Sequence, residues 1–267
     1  AILRARVDLL WFGGIGTYVR ATTESDAEAG DKANDAIRIT GTEIGAAVVG
    51  EGANLGMTQR ARIEFGARGG RCNSDAIDNS AGVNCSDVEV NIKIALTPAV
   101  VSGRLDRPAR DALLAAMTDE VAELVLANNH SQTLSISIAE RLGLADLPFQ
   151  RRMVASLERA GRLDRAVETL PDDAGFAARE KAGRPLTRSE IGVLLAYAKM
   201  AGKVDLLASD VPDDPLFVDE LHAYFPARLA RDLVEGIDGH RLKREIVATR
   251  LANVVVDRGG PTFLTRV

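Results

Sequence analysis

Two stretches of this chain set asparagine among very small residues. The first is Gly50-Glu51-Gly52-Ala53-Asn54, at the end of a short apolar run, and the second is Asn79-Ser80-Ala81-Gly82-Val83-Asn84-Cys85-Ser86. Gly and Ala remove side-chain bulk where backbone must pass close to something, and the Asn side chain offers both a donor and an acceptor. Together these properties describe a binding wall. A third pair of small residues, Gly13-Gly14, closes the apolar run Val7 to Phe12. It reads equally as a tight turn or as backbone passing beside a ligand.

The same residues resemble the amino-acid dehydrogenases, most closely the cofactor domain of glutamate dehydrogenase. In that family a strand ends in Glu-Gly-Ala-Asn and a Thr follows. An Asn-Ala-Gly-Gly-Val segment, with a Ser three residues after the Val, then opens the helix returning to the substrate domain. Glu51, Gly52, Ala53, Asn54, Thr58, Asn79, Gly82, Val83, Ser86 and Glu89 match in type, order and approximate spacing. Asp8 to Tyr18, Asn79 to Leu96, Leu186 to Met200, Ser209 to Pro212 and His240 to Asn253 look like the large bacterial NAD-dependent glutamate dehydrogenases. The resemblance implies the C-terminal portion of such an enzyme, a fragment of a longer polypeptide.

It also implies roles. Gly13, Gly14, Gly52, Asn54 and Asn79 fall where the family binds its cofactor, here NAD. Asn79 would meet the nicotinamide carboxamide, whose donor and acceptor complement an Asn side chain; Asn54 would reach the adjoining ribose. Gly82, Val83 and Ser86 fall in the substrate pocket. There the Ser hydroxyl donates to the side-chain carboxylate of L-glutamate, a bond worth about 1.5 to 3 kcal/mol. The implied reaction is oxidative deamination of glutamate to 2-oxoglutarate and ammonium. Its Lys and Asp groups belong to an upstream substrate domain, so no catalytic residue is assigned in this stretch. Each residue also has a structural reading: Asn79 bonding its own loop, Asn54 or Ser86 capping a helix, Glu51 bonding nearby backbone. Two departures stand out, Ser80-Ala81 where Ala-Gly is usual and Val88 where an aromatic is common.

The elements that must position these residues read as α/β followed by all-α. Residues 1–96 suggest the end of a dinucleotide-binding domain, a partial Rossmann-like parallel sheet, and 97–267 a larger helical domain. Val7 to Phe12 reads as a buried strand and Ala46 to Gly50 as a central parallel one. Gly50-Glu51-Gly52 with Gly56 mimics the phosphate-binding glycine fingerprint, but Asn54-Leu55 stands where its helix should begin. A helix is expected over Thr58 to Ala67, an edge strand over Arg71 to Asp75 and a loop over Asp78 to Val83. Ser86 to Ala95 alternates like a strand, and the resemblance makes it a helix. Helices are expected from Asp106-Arg107-Pro108 to Asn129, then over Ser131 to Arg141, Phe149 to Ala160, Arg188 to Met200, Pro215 to Phe225, Pro226 to Glu235 and His240 to Val256.

Bulk properties narrow the classes. With 33 basic residues against 38 acidic and 4% aromatics, the chain has neither the charge nor the stacking surfaces that favour a nucleic-acid partner. No apolar run reaches the ~20 residues of a membrane span, and the chain opens without a signal-peptide pattern; the expectation is a soluble cytoplasmic protein and a homo-oligomer. Cys72 and Cys85, with His130, His222 and His240, lack ligand or disulfide spacing. The alternatives are a non-catalytic regulatory or oligomerisation module and a dehydrogenase for another amino acid.

Overall fold

A computed structural model describes residues 1–266. The protein is mostly helical with two small two-stranded parallel sheets, in two compact units. One comprises Ala1–Ser80, Gln132–Ala198 and the residues from Gly259; the other comprises Ala81–Ser131 and Lys199–Arg258.

In the first unit, β1 (Leu9–Phe12) runs parallel to a later strand, Val48–Glu51, with Phe12 opposite Glu51. Between them, β2 (Val19–Arg20) pairs in parallel with β3 (Ile39–Thr40), and the Val48–Glu51 strand is β4. The helical turn α1 (Asp26–Ala29) starts on a Ser25/Glu28 capping box and ends at a left-handed Gly30. α2 (Gln59–Ala67) starts because Thr58 accepts from the Ala61 N–H. Phe12, Val19, Ile39, Val49, Met57, Ala61 and Phe65 share one core, each large member contributing on the order of 1.5 to 3 kcal/mol.

Two sequence expectations need correction in this unit. Val7 to Phe12 is not a buried strand: Leu9 and Trp11 stay 56% and 57% exposed. They are alternate residues on a face of β1 that the described residues leave largely open. Arg71 to Asp75 is not an edge strand either, because only Arg71 bridges to Val48 and Asp75 already opens the helical turn α3 (Asp75–Asp78).

Helix α4 (Ser80–Val101) begins where a loop was expected. Its buried residues are Val88, Ile92, Ala95, Leu96 and Ala99, while Val90 is half exposed. That is helical periodicity, and it overrides the alternation of Val88, Val90, Ile92 and Ile94. α5 (Arg107–Ala116) takes its cap from Asp106, which accepts from the Ala109 N–H. α6 (Thr118–Leu142) follows. The break therefore falls at Met117 and not at Asn129 to His130, because Met117 is fully buried and anchors the turn in the core of the second unit.

α7 (Leu147–Arg159) and α9 (Arg188–Leu207) match expectation, whereas α8 (Asp173–Ala182), capped by Asp172, was not foreseen. Beyond them α10 (Val218–His222), α11 (Ala227–Asp232) and α12 (Val234–Asp238) are shorter pieces than the two helices expected there. α13 (Lys243–Gly259) and α14 (Phe263–Arg266) complete the described residues. Among the described residues no helix is long and apolar enough to cross a membrane, and no group of three or more His, Cys, Asp or Glu could hold a metal ion.

The second unit packs Val88, Ile92, Leu96 and Met117 against Leu221, Phe225, Leu229, Ile237, Ile246 and Val247. Beside this core the His240 Nε2–H donates to the Asn91 carbonyl at 3.1 Å, and Nδ1 accepts from the Leu242 N–H at 3.1 Å. That pairing fixes a neutral imidazole. Burial holds the His240 value below its ordinary 6.5, with the Asn91 bond opposing. The unfolded chain therefore takes the proton first, so the contribution of His240 to stability is present above about pH 6.5 and is lost as pH falls through that value toward the folded one. Urea midpoints measured between about pH 7.5 and about pH 5.5 should fall more steeply for wild type than for His240→Gln. Equal slopes would refute this role for the histidine.

Candidate functional site

The parallel pairing of β1 and β4 brings two chain reversals to one edge. Gly52 and Ala53 both donate backbone N–H groups to the Phe12 carbonyl, at 2.9 and 3.1 Å, so the Gly13-Gly14 turn and the Gly52 to Asn54 turn leave the sheet together. Gly13 and Gly14 are exposed, and a Cβ built on Gly14 would meet nothing within 4 Å. Gly52 is different. A Cβ there would lie 2.5 Å from the Trp11 indole, as one on Gly50 would at 2.6 Å, so both glycines are needed for the ring to lie across β4.

Asn79 occupies the single residue between α3 and α4, with its own N–H bonded to the Asp75 carbonyl. Its Nδ2 donates to Asn54 Oδ1 at 2.8 Å. The two asparagines are thus brought together across the 25 residues that separate them in sequence, with the amide orientations assigned by that network. One bond leaves each carboxamide with further capacity, a donor on Asn54 and an acceptor on Asn79.

Gly82, Val83 and Ser86 are exposed residues of α4 and share one face of that helix at spacings of three and four. They belong to the unit that begins at Ala81. Because α4 starts at Ser80, Ser86 lies in the helix interior and is not an N-cap.

Beneath the asparagine pair lies a buried polar network that the sequence did not disclose. Glu51 is fully buried; Arg62 Nε and Nη2 donate to its two oxygens at 2.7 and 3.0 Å, and the Met57 N–H adds a third bond at 3.1 Å. The Glu51 N–H donates to Asp78 Oδ2 at 3.1 Å, and Asn73 Nδ2 holds the other Asp78 oxygen at 2.8 Å. Asp75 Oδ2 receives the Leu55 N–H at 3.0 Å and faces Arg62 Nη2 at 3.3 Å. Arg188 from α9 reaches Asn73 at 3.2 Å and Glu140 at 2.7 Å.

Burial pushes the Glu51 and Asp78 carboxyls above their ordinary range, opposed by Arg62 at the first and by Asn73 at the second. Burial also works against the Arg62 cation, but the Glu51 and Asp75 carboxylates outweigh it and hold the guanidinium above its usual value. The two directions pull opposite ways on one pair. The ionised form is the one that three donors converging on Glu51 support. The single sequence cue was Glu51 itself, a carboxylate ending an apolar strand. Arg62, Asp75 and Asp78 become partners only through the fold.

Residues 1–139 match the family model described as bacterial NAD-glutamate dehydrogenase, catalytic domain, and residues 183–267 match that for glutamate dehydrogenase, C-terminal. The first match puts residues 1–139 among dehydrogenase catalytic domains. It is 51% identical over all 267 residues to NAD-specific glutamate dehydrogenases of Pseudomonas aeruginosa and Halomonas elongata, and 45% identical to that of Mycobacterium tuberculosis. The alignments cover 100% of this chain and 16 to 17% of each of those relatives. The chain belongs to the bacterial NAD-glutamate dehydrogenase family.

A buried ion pair broken on one side leaves an uncompensated charge. Arg62→Ala should therefore cost about 3 to 5 kcal/mol in urea unfolding, with the Glu51→Gln, Arg62→Ala double variant recovering part of it. A single-variant loss under about 1 kcal/mol would mean the pair is not buried as described.

Proposed function

We propose that this chain supplies part of the NAD site and part of the substrate pocket of an NAD-dependent glutamate dehydrogenase, which converts L-glutamate to 2-oxoglutarate and ammonium. The observation that carries the reading is the hydrogen bond between Asn54 and Asn79 beside an open glycine turn. The donor left on Asn54 and the acceptor left on Asn79 suit the polar end of a nicotinamide riboside, so the residues fit the cofactor. When bound, NAD supplies the acceptor for the hydride leaving the glutamate α carbon. Asn79 would orient the nicotinamide carboxamide and Asn54 the adjoining ribose, while Gly13, Gly14 and Gly52 would let backbone lie close to the dinucleotide.

Gly82, Val83 and Ser86 would line the substrate pocket, with Ser86 donating to the glutamate side-chain carboxylate. In this reading 1–96 forms the end of a Rossmann-like domain, which the parallel β1 and β4 pair supports. The substrate domain, with its lysines and proton-transfer Asp, lies elsewhere on the same polypeptide, in an enzyme read as a cytoplasmic homo-oligomer.

The isolated 267-residue chain should form no NADH from glutamate and NAD in an absorbance assay; measurable turnover would overturn the division of labour. In the full-length enzyme, Ser86→Ala should lower kcat/KM for glutamate by about tenfold or more, the loss of one hydrogen bond to a charged group. Unchanged kinetics would remove Ser86 from the pocket.

A further inference from the structure

Nothing in the reaction itself requires Asp75, yet its carboxylate joins three parts of the site. Oδ2 receives the Leu55 N–H at 3.0 Å and faces Arg62 Nη2 at 3.3 Å, and Oδ1 receives the Ala76 N–H at 2.8 Å. Leu55 is one of two non-glycine residues with positive φ among the described residues, at 68°. A left-handed Leu is disfavoured by the clash of its Cβ with backbone and persists only where its surroundings hold it. Its side chain is 59% exposed and so provides little packing to hold that conformation. What its backbone offers instead is the N–H, which donates to the Asp75 carboxylate.

Leu55 directly follows Asn54, and Asp75 opens the helical turn that ends at Asn79, whose N–H bonds the Asp75 carbonyl at 2.8 Å. One residue therefore grips both halves of the asparagine pair, one through its side chain and the other through its backbone. Arg62 couples that grip to Glu51 at the end of β4.

We propose that Asp75 is a positioning residue for cofactor binding. By clamping Leu55 in its left-handed turn it sets the Asn54 carboxamide against Asn79, and so fixes the polar pair that receives the nicotinamide end of NAD. The inference rests on the reading of that pair as a cofactor contact. It adds a residue that touches neither cofactor nor substrate and acts through Leu55. Asp75 is a better subject for substitution than Arg62, because removing it leaves the Glu51 and Arg62 pair intact.

The test is the equilibrium Kd for NADH, titrated by calorimetry without glutamate, on the full-length enzyme carrying Asp75→Ala, Asp75→Asn or Asn79→Ala, with a thermal melt for each. Asp75→Ala should weaken NADH binding about fivefold, the scale of one lost hydrogen bond. Asp75→Asn keeps an acceptor for Leu55 and should stay within about twofold of wild type. Asn79→Ala should weaken binding at least as much as Asp75→Ala. The KM for glutamate should stay within about twofold in both Asp75 variants.

If Asn79→Ala weakens binding and Asp75→Ala does not, the positioning role is wrong while the cofactor reading stands. If neither changes Kd, the cofactor reading fails and takes this inference with it. If Asp75→Ala and Asp75→Asn are impaired alike, the Leu55 bond is not what matters and the proposal falls. Should Asp75→Ala fail to fold, Asp75→Ser, too short to reach Leu55 but suited to a helix start, carries the same expected and overturning results.

Discussion

The contact between Glu51 and Arg62 is the constraint on which the strand-end region depends. A carboxylate with no solvent exposure is tolerable only if its partner is held in good geometry and its lone pairs are filled. Here two guanidinium donors and the Met57 N–H meet those conditions. The arrangement has reach as well as local effect. Arg62 sits on α2, Glu51 ends β4, and the backbone of Glu51 is tied to Asp78 on α3. Strand, helix and turn are thereby locked in one register, and the asparagines inherit their separation from that lock. A hydrophobic pair of similar volume could be as stable, but it would not fix orientation through so many directed bonds.

Much of this was legible in the sequence wherever local chemistry is decisive. Thr58 and Asp106 stand at the starts of two expected helices, and each caps one. The strand ending at Glu51 and the adjacency of Asn54 and Asn79 followed from matched motifs rather than from spacing alone. The Asp78 to Val83 stretch was misread because Gly and Asn usually signal loops. Here a helix start tolerates them, with Asn79 as the sole break.

What stayed hidden is what only folding creates. Nothing in the intervals between Glu51, Arg62 and the Asp75 to Asp78 turn marks them as partners, since they lie on a strand, a helix and a separate helical turn. The helical half shows the same limit. Alternating Val88, Val90, Ile92 and Ile94 could suit a strand, and it is Ala95, Leu96 and Ala99 entering the buried set that decide for a helix. The expected helix ending at Asn129 likewise failed because burial of Met117 outweighed the turn propensity of Asn-Asn-His.

Trp11 lies flat against the backbone left bare by Gly50 and Gly52, with one side still open to water. It is the only tryptophan in the chain. Its emission therefore comes from a single fluorophore seated two residues before the Gly13-Gly14 turn, and an indole half in contact with solvent shifts its colour when water is displaced from its open face. The chain thus carries a native optical reporter at the edge of the sheet, readable without any label.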